Sequence, residues 1–331
     1  MKATKDRTKD RQLRIEDYLQ MRTTEQGKIA GVSAYRKINE NNHTITNFQS
    51  GRLLEKILHR DNLNKAYKKV KSNKGAGGVD GMSVNELLPY LRDNGKRLVQ
   101  QQKEGKYKPN PVRRVEIPKE TKGEYRKLGV PTVVDRVFQQ AIAQVLTPIF
   151  EEQFSEYSYG FRPNRGAHDA LKQCMINIEE GYEYVVDMDL EKFFDTVSQS
   201  KLIQVLSETI KDGRVISIIH KYLNAGVIAR GVFEKTEKGV PQGGPLSPLL
   251  SNIMLNELDK EITRRGHRFV RYADDCMIFC KSKKSAERTL TNMIPFIEKK
   301  LFLRVNREKT CTAHVSKVKY LGYAFNKYKG K

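Results

Sequence analysis

Two short acidic stretches carry the residues best suited to chemistry. Asp187 and Asp189 are two apart in Tyr184-Val185-Val186-Asp187-Met188-Asp189-Leu190. This apolar run reads as a strand, so the two carboxylates share one face. Asp274 and Asp275 are adjacent inside Phe269-Val270-Arg271-Tyr272-Ala273-Asp274-Asp275-Cys276-Met277-Ile278-Phe279. In an unbroken strand one of them would enter the core unpaired, at high cost. A turn at Ala273-Asp274-Asp275 removes that cost and places both charges at a hairpin tip. Taken alone, that segment also reads as an ordinary Asp-rich turn. Two strands that each bring carboxylates to one edge suit Mg²⁺, which takes a few carboxylate oxygens, water and phosphates. Two such ions about 4 Å apart serve phosphoryl transfer.

The composition fits a polyanionic substrate. The chain has 331 residues, with 61 Lys plus Arg against 39 Asp plus Glu, a formal charge of +22. Nucleic acid is the first partner this suggests and an anionic membrane surface the second. No amphipathic basic helix or lipidation signal supports the membrane. No run of about 18 apolar residues exists, and the charged N-terminus is unlike a signal peptide, so a cytoplasmic setting is expected. The charge is uneven. Residues 1–60 hold 13 basic and 7 acidic residues, residues 99–130 hold 9 and 4, and residues 299–331 hold 10 and 1. Cys174, Cys276, Cys280 and Cys311 contain no Cys-x-x-Cys pair and the six histidines are scattered. Buried free thiols are expected rather than a zinc site.

The elements that must position the aspartates follow from periodicity. Helices are expected at 10–24, 50–72, 133–150, 167–180, 200–210, 214–225, from Pro245 to about Arg264, and at 284–301. Val134, Val137, Phe138, Ala141, Ile142, Val145, Leu146 and Ile149 give the clearest helical stripe. Strands are expected at 112–117, 184–190, in a hairpin over 269–280, at 303–305 and within 318–325. Lys74-Gly75-Ala76-Gly77-Gly78 reads as a loop. Helices and strands mix without a βαβ rhythm, which indicates an α+β fold.

Several segments, in order, resemble reverse transcriptases. Tyr272-Ala273-Asp274-Asp275 resembles the YxDD box, and Asp189-Leu190-Glu191-Lys192-Phe193-Phe194-Asp195 resembles motif A. The Ala in the box and the Phe-Phe-Asp are similar to group II intron-encoded reverse transcriptases and maturases. Arg114-Val115-Glu116-Ile117-Pro118-Lys119, Arg126-Lys127-Leu128-Gly129-Val130-Pro131, Asp135-Arg136-Val137 and Gln139 resemble the fingers motifs. Tyr159-Gly160-Phe161-Arg162-Pro163 and Gly166-Ala167-His168-Asp169-Ala170 resemble the third block. Gly239 to Leu250 resembles motif B. Asn306-Arg307-Glu308-Lys309-Thr310 and Tyr320-Leu321-Gly322-Tyr323 resemble the last two blocks.

The resemblance implies an α+β right-hand polymerase with fingers, an antiparallel palm sheet and a helical, basic N-terminal extension. By it, residues 1–65 are the extension, 66–138 and about 197–246 the fingers, and about 139–196 and 247–326 the palm. Residues 327–331 would begin a linker to a thumb. Read that way the chain is thumb-less, and it is expected to bind RNA well but to polymerise poorly alone.

The resemblance also assigns roles. Asp189, Asp274 and Asp275, with the Leu190 backbone, would hold two Mg²⁺ ions, for which Mn²⁺ can substitute. Asp187 remains an alternative to Asp189, because both share a face. Lys119 and Arg126 would meet the triphosphate of the incoming dNTP. Phe194 would sit under its sugar and exclude a 2′-hydroxyl, with Phe193 as its core-facing neighbour. Gln242 and Gly243 would lie beside the nucleotide, and Lys309 would protonate the departing pyrophosphate. Tyr272, Tyr320, Leu321 and Gly322 would position the primer. The implied activity is RNA-directed DNA synthesis, and the implied partners are group II intron RNA, an RNA template with a DNA primer, and dNTPs. Intron splicing and mobility in a bacterial host follow from the same resemblance. A mainly non-catalytic splicing factor is the second reading, and a retron or diversity-generating reverse transcriptase the third.

Overall fold

A computed structural model of the protein describes residues 52–118 and 125–325. The expected helix at 10–24, the extension and Lys119 lie outside the described residues. The fold is α+β and is organised around two four-stranded sheets.

The chain enters through α1 (Leu53–Ile57) and α2 (Arg60–Ser72). A single helix over 50–72 is thus corrected to two. The break falls at Leu58-His59, where the His59 ring accepts a hydrogen bond from the Asp61 N–H and caps α2. Ala66 and Val70 turn inward, while Lys65, Lys68 and Lys69 are exposed on the opposite face. Next comes α3 (Leu87–Lys103), a helix the sequence reading missed. Gly95 and Pro89 blur its pattern.

The first sheet joins β1 (Val112–Pro118), β2 (Tyr125–Val130), β4 (Val227–Ala229) and β5 (Val232–Glu234) in the order β2-β1-β4-β5. β1 pairs antiparallel with β2, pairs parallel with β4, and β4 turns back into β5. Two distant stretches of chain therefore build one sheet. It is buried at its base, through Val112, Gly129 and Val227, and exposed at its tip and along β5. The β4–β5 hairpin was also missed. Its turn holds Arg230 and Gly231, both with positive φ.

From this sheet the chain runs into α4 (Val133–Glu151), whose expected apolar stripe is buried except at Val145 and Ile149, which are half-buried. Its first turn is fixed by a buried carboxylate. Asp135 accepts hydrogen bonds from the Thr132 hydroxyl at 2.7 Å, the Tyr107 hydroxyl at 2.8 Å and the Asn110 N–H at 3.1 Å. The segment leading into β1 is thereby tied to α4. After α5 (Ala167–Glu179) comes β3 (Tyr184–Met188), then the one-turn α6 (Phe193–Thr196), α7 (Gln199–Thr209) and α8 (Gly213–Leu223).

The second sheet is antiparallel throughout, in the order β6-β7-β3-β8. It consists of β3, β6 (Arg268–Tyr272), β7 (Asp275–Cys280) and β8 (Cys311–His314). Alternation divides its side chains between two cores. Val186, Met188, Cys276 and Ile278 pack with α9 (Ser247–Arg264) and α10 (Lys283–Lys299). Val185, Val270, Met277 and Phe279 pack with Ala170 and Cys174 of α5 and with Val315, Val318, Tyr320 and Phe325. The last two residues belong to the C-terminal region, where β9 (Lys319–Tyr320) and β10 (Tyr323–Ala324) form a hairpin. The expected strand at 303–305 is only a single bridge, Val305 to Leu190, and the strand lies later, at Cys311–His314. Cys174, Cys276 and Cys280 are buried thiols, whereas Cys311 is exposed and departs from that expectation.

Candidate active site

The hairpin bearing the paired aspartates forms as its sequence requires. Tyr272 pairs with Asp275, leaving Ala273 and Asp274 as a two-residue turn. Ala273 has φ +56°, a conformation costly for a residue with a side chain. Its carbonyl accepts a hydrogen bond at 2.7 Å from the Arg271 guanidinium, and Arg271 is itself fully buried. The loop before α5 runs along the same hairpin. The Tyr159 N–H donates to the Arg271 carbonyl at 2.8 Å and the Arg271 N–H to the Tyr157 carbonyl at 2.9 Å. Gly160 then sits directly against the turn, where a Cβ would come within 2.2 Å of the Ala273 nitrogen. Only glycine fits there.

Tyr320 braces the other face. It is buried, and its hydroxyl lies 3.2 Å from the carbonyls of both Val270 and Asp275. Leu321 and Gly322, with φ +52° and +86°, make the β9–β10 turn, the first half-buried and the second exposed. Tyr272 is half-buried on this side.

Asp189 follows β3 and is held through its backbone. Its N–H donates to the Thr310 hydroxyl at 3.1 Å, and its carbonyl accepts from the Asn306 N–H at 2.9 Å and from the Thr310 hydroxyl at 3.2 Å. The loop Asn306–Thr310 is thus clasped to Asp189, and exposed Lys309 rides on it. The sequence reading had singled out Lys309 but not the role of Thr310.

Neighbouring carboxylate charges act on Asp274, Asp275 and Asp187. Burial, and then the charge of Asp189, raise Asp274 above the usual carboxylate range. Asp275 is pushed up to about 6 by burial first and then by Asp274, Asp187 and Asp189. Burial and the Asp189 charge likewise bring Asp187 to about 6. Arg126, exposed on β2, opposes the shift in both Asp274 and Asp275. The first sheet therefore leans a cation toward the acidic turn of the second. Among the described residues no three His, Cys, Asp or Glu side chains close a metal cage by themselves. The donor set is nevertheless of the right kind for Mg²⁺: hard oxygens on a half-exposed turn, reachable by water and phosphate.

The remaining candidate residues lie on α6 and in the loop before α9. Phe193 is core, 2% exposed, whereas Phe194 is half-buried, their rings edge to face at 5.2 Å. Alternation along a strand would also separate the two, but this segment is helical. They divide instead by the rotation of a one-turn helix, entered through Lys192 at φ +45°. The Val240 N–H donates to the Phe194 carbonyl at 2.7 Å, and the Gly129 N–H of β2 donates to the Gln242 carbonyl at 2.6 Å. Gly243 has φ +113°, and a Cβ there would lie 2.7 Å from the Gly129 carbonyl oxygen. So Gln242 and Gly243 lie against β2, and Val240 in the same loop ties it to Phe194.

A carboxylate turn thus caps an antiparallel sheet, and the charge of Arg126 on the basic hairpin acts on it. Residues 117–325 match the family described as reverse transcriptase (RNA-dependent DNA polymerase), and the chain belongs to that family. It is 34% identical over 305 residues to Protein YkfC of Escherichia coli (strain K12), covering 80% of each chain. It is 32% identical over 337 residues to the group II intron-encoded protein LtrA of Lactococcus lactis subsp. cremoris. That match covers 82% of this chain and 56% of LtrA, so the chain spans little more than half of that relative. Telomerase from Candida tropicalis, solved with a fragment of telomeric RNA, shares the fold, with a TM-score of 0.52 at 14% identity over 71% of this chain and 47% of that one.

Proposed function

We propose that this chain forms the fingers and palm of a group II intron-encoded reverse transcriptase, which copies RNA into DNA and binds intron RNA to assist its splicing. The observation that carries the reading is the meeting of Asp189, Asp274 and Asp275 under Arg126. In this reading residues 66–138 and about 197–246 are the fingers, which the composite first sheet supports, and about 139–196 and 247–326 the palm. The relatives that are named as intron-encoded proteins support the intron assignment.

A primer 3′-hydroxyl gives its proton to solvent water and its oxygen attacks the α-phosphorus of a dNTP, forming a new P–O bond while the bond to the β-phosphate bridging oxygen breaks and pyrophosphate leaves. Mg²⁺ held by Asp189, Asp274 and Asp275, with the Leu190 carbonyl, would supply the two-ion charge stabilisation such a transfer uses. Lys119 and Arg126 bind the triphosphate, Arg126 through a planar fork matched to phosphate oxygens. Phe194 fills the space a 2′-hydroxyl would need, which selects dNTPs. Gln242 and Gly243 lie along the nucleotide, and Lys309 gives a proton to pyrophosphate. Tyr272, Leu321 and Gly322 line the primer end, with Tyr320 as their support. Lys65, Lys68 and Lys69 on the outer face of α2 offer phosphate contacts for RNA.

Primer extension on an RNA template tests this. The wild type should add dNTPs in Mg²⁺ and Asp274→Ala should not, while both bind RNA equally. Equal extension by the two proteins would overturn the reading.

A further inference from the structure

We infer that Arg271, held by Asp259 and Asn252, is a positioning residue that sets the turn carrying Asp274 and Asp275. The inference rests on the polymerase reading above. It starts from a buried charge that the proposed chemistry does not use. Arg271 immediately precedes Tyr272, on the opposite face of β6 from the primer side, and no part of it reaches solvent.

Every contact of its guanidinium is directional. Nε and Nη2 donate to the two carboxylate oxygens of Asp259 at 2.7 and 2.6 Å. Nη1 donates to the Asn252 side-chain oxygen at 3.0 Å and to the Ala273 carbonyl at 2.7 Å. Asp259 is fully buried as well, and both it and Asn252 lie on α9, seven residues and so two turns apart on one helix face. The Asn252 amide in turn donates at 2.8 Å to the carbonyl of Gly160, the residue pressed against Ala273.

A buried ion pair is a poor choice if stability is all that is wanted, since well-packed apolar residues of similar volume do as well or better. What apolar residues cannot do is satisfy the Ala273 carbonyl, which is orphaned in the core without a donor. The same bond favours the left-handed backbone of Ala273 over the ordinary conformations of a non-glycine residue. The residue after that constrained peptide is Asp274. The network therefore transmits the fixed position of α9 to the carboxylates through one carbonyl. Displacement of reacting groups by about 1 Å costs on the order of 100-fold in rate.

Three variants of the full chain test this: Arg271→Lys, which keeps the charge but loses the fork; Asn252→Ala, which spares the Arg271–Asp259 pair; and Leu206→Ala, a fully buried core position away from the turn, as a control for lost stability. Single-nucleotide addition is measured per folded molecule while Mg²⁺ is titrated, and amide hydrogen exchange is followed over residues 270–276. Arg271→Lys should lower kcat by roughly 10- to 100-fold and raise the Mg²⁺ needed for half-maximal rate several-fold, with the KM for dNTP changed less than about twofold. Asn252→Ala should do the same to a smaller degree. Both should speed exchange at the turn, and Leu206→Ala should not. Variants that match an active wild type per folded molecule, or that behave as Leu206→Ala does, would overturn this role alone. A wild type inert at every Mg²⁺ concentration would overturn the polymerase reading, and this role with it.

Discussion

The two sheets that supply charges to the site are built on opposite principles. The aspartate sheet is covered on both faces, by α9 and α10 on one side and by α5 and the C-terminal hairpin on the other. The basic sheet is anchored only at its base, and Ile117, Tyr125, Val232 and Phe233 are exposed along its outer part. Acidic groups that repel one another need a rigid frame, because nothing in their own interaction holds them together. A cation that grips a flexible, charged triphosphate has no such need, and an exposed hairpin suffices. Rigidity is placed where like charges must be kept close.

That contrast can be broken by experiment. The largest effect expected is on the acidic side: Asp189→Ala or Asp274→Ala should reduce nucleotide addition at least about 1,000-fold, with RNA affinity unchanged. Single-turnover extension beside filter binding measures both. Next, Met277→Ala, in the covered sheet and fully buried, should cost about 2–5 kcal/mol in denaturant unfolding, whereas Val115→Ala on the basic sheet should cost under about 1 kcal/mol. Equal costs would erase the contrast. Phe194→Ala should lower the preference for dNTP over NTP by roughly 10- to 100-fold, read from the ratio of kcat/KM values. Arg126→Ala should raise the KM for dNTP about tenfold and leave kcat within about threefold.

The smallest effect concerns pH. Asp187 and Asp275 are raised to about 6, above the value of an unfolded aspartate. Between about pH 4 and 6 the folded chain therefore binds more protons than the unfolded one, and stability falls as pH rises through that window. Without divalent metal, the melting temperature should rise modestly as pH drops from 7 to 5. Asp275→Asn should flatten that slope.

The sequence revealed the acidic hairpin because two adjacent aspartates interrupt an apolar alternation that cannot otherwise be buried. It also revealed α4, whose apolar stripe is nearly uninterrupted. The β4–β5 hairpin escaped because its strands are three residues each and too short for a period to register. The misplaced strand at 303–305 shows the reverse error: Leu303 and Val305 are buried, yet beyond the single bridge of Val305 to Leu190 they pack rather than pair. Arg271 was legible only as a polar residue within a strand. Its meaning depends on Asp259, twelve residues earlier on a helix, and no local pattern connects a guanidinium to the carboxylate it will meet. Thr310 is hidden for the same reason, since its partner Asp189 lies 121 residues away.

The parallel pairing of β1 with β4 has a consequence for how the protein is made. Val112 meets Val227 across 115 residues of chain, and β2, β3 and five helices are synthesised between them. The β1–β2 hairpin can close early on the ribosome, but the second edge of β1 stays open until residue 228 has emerged. Non-local closure of this kind is slow, and an unpaired strand edge invites pairing with other chains while it waits. Low-temperature expression, or chaperones that shield strand edges, should therefore raise the yield of active protein more than any substitution in the covered sheet.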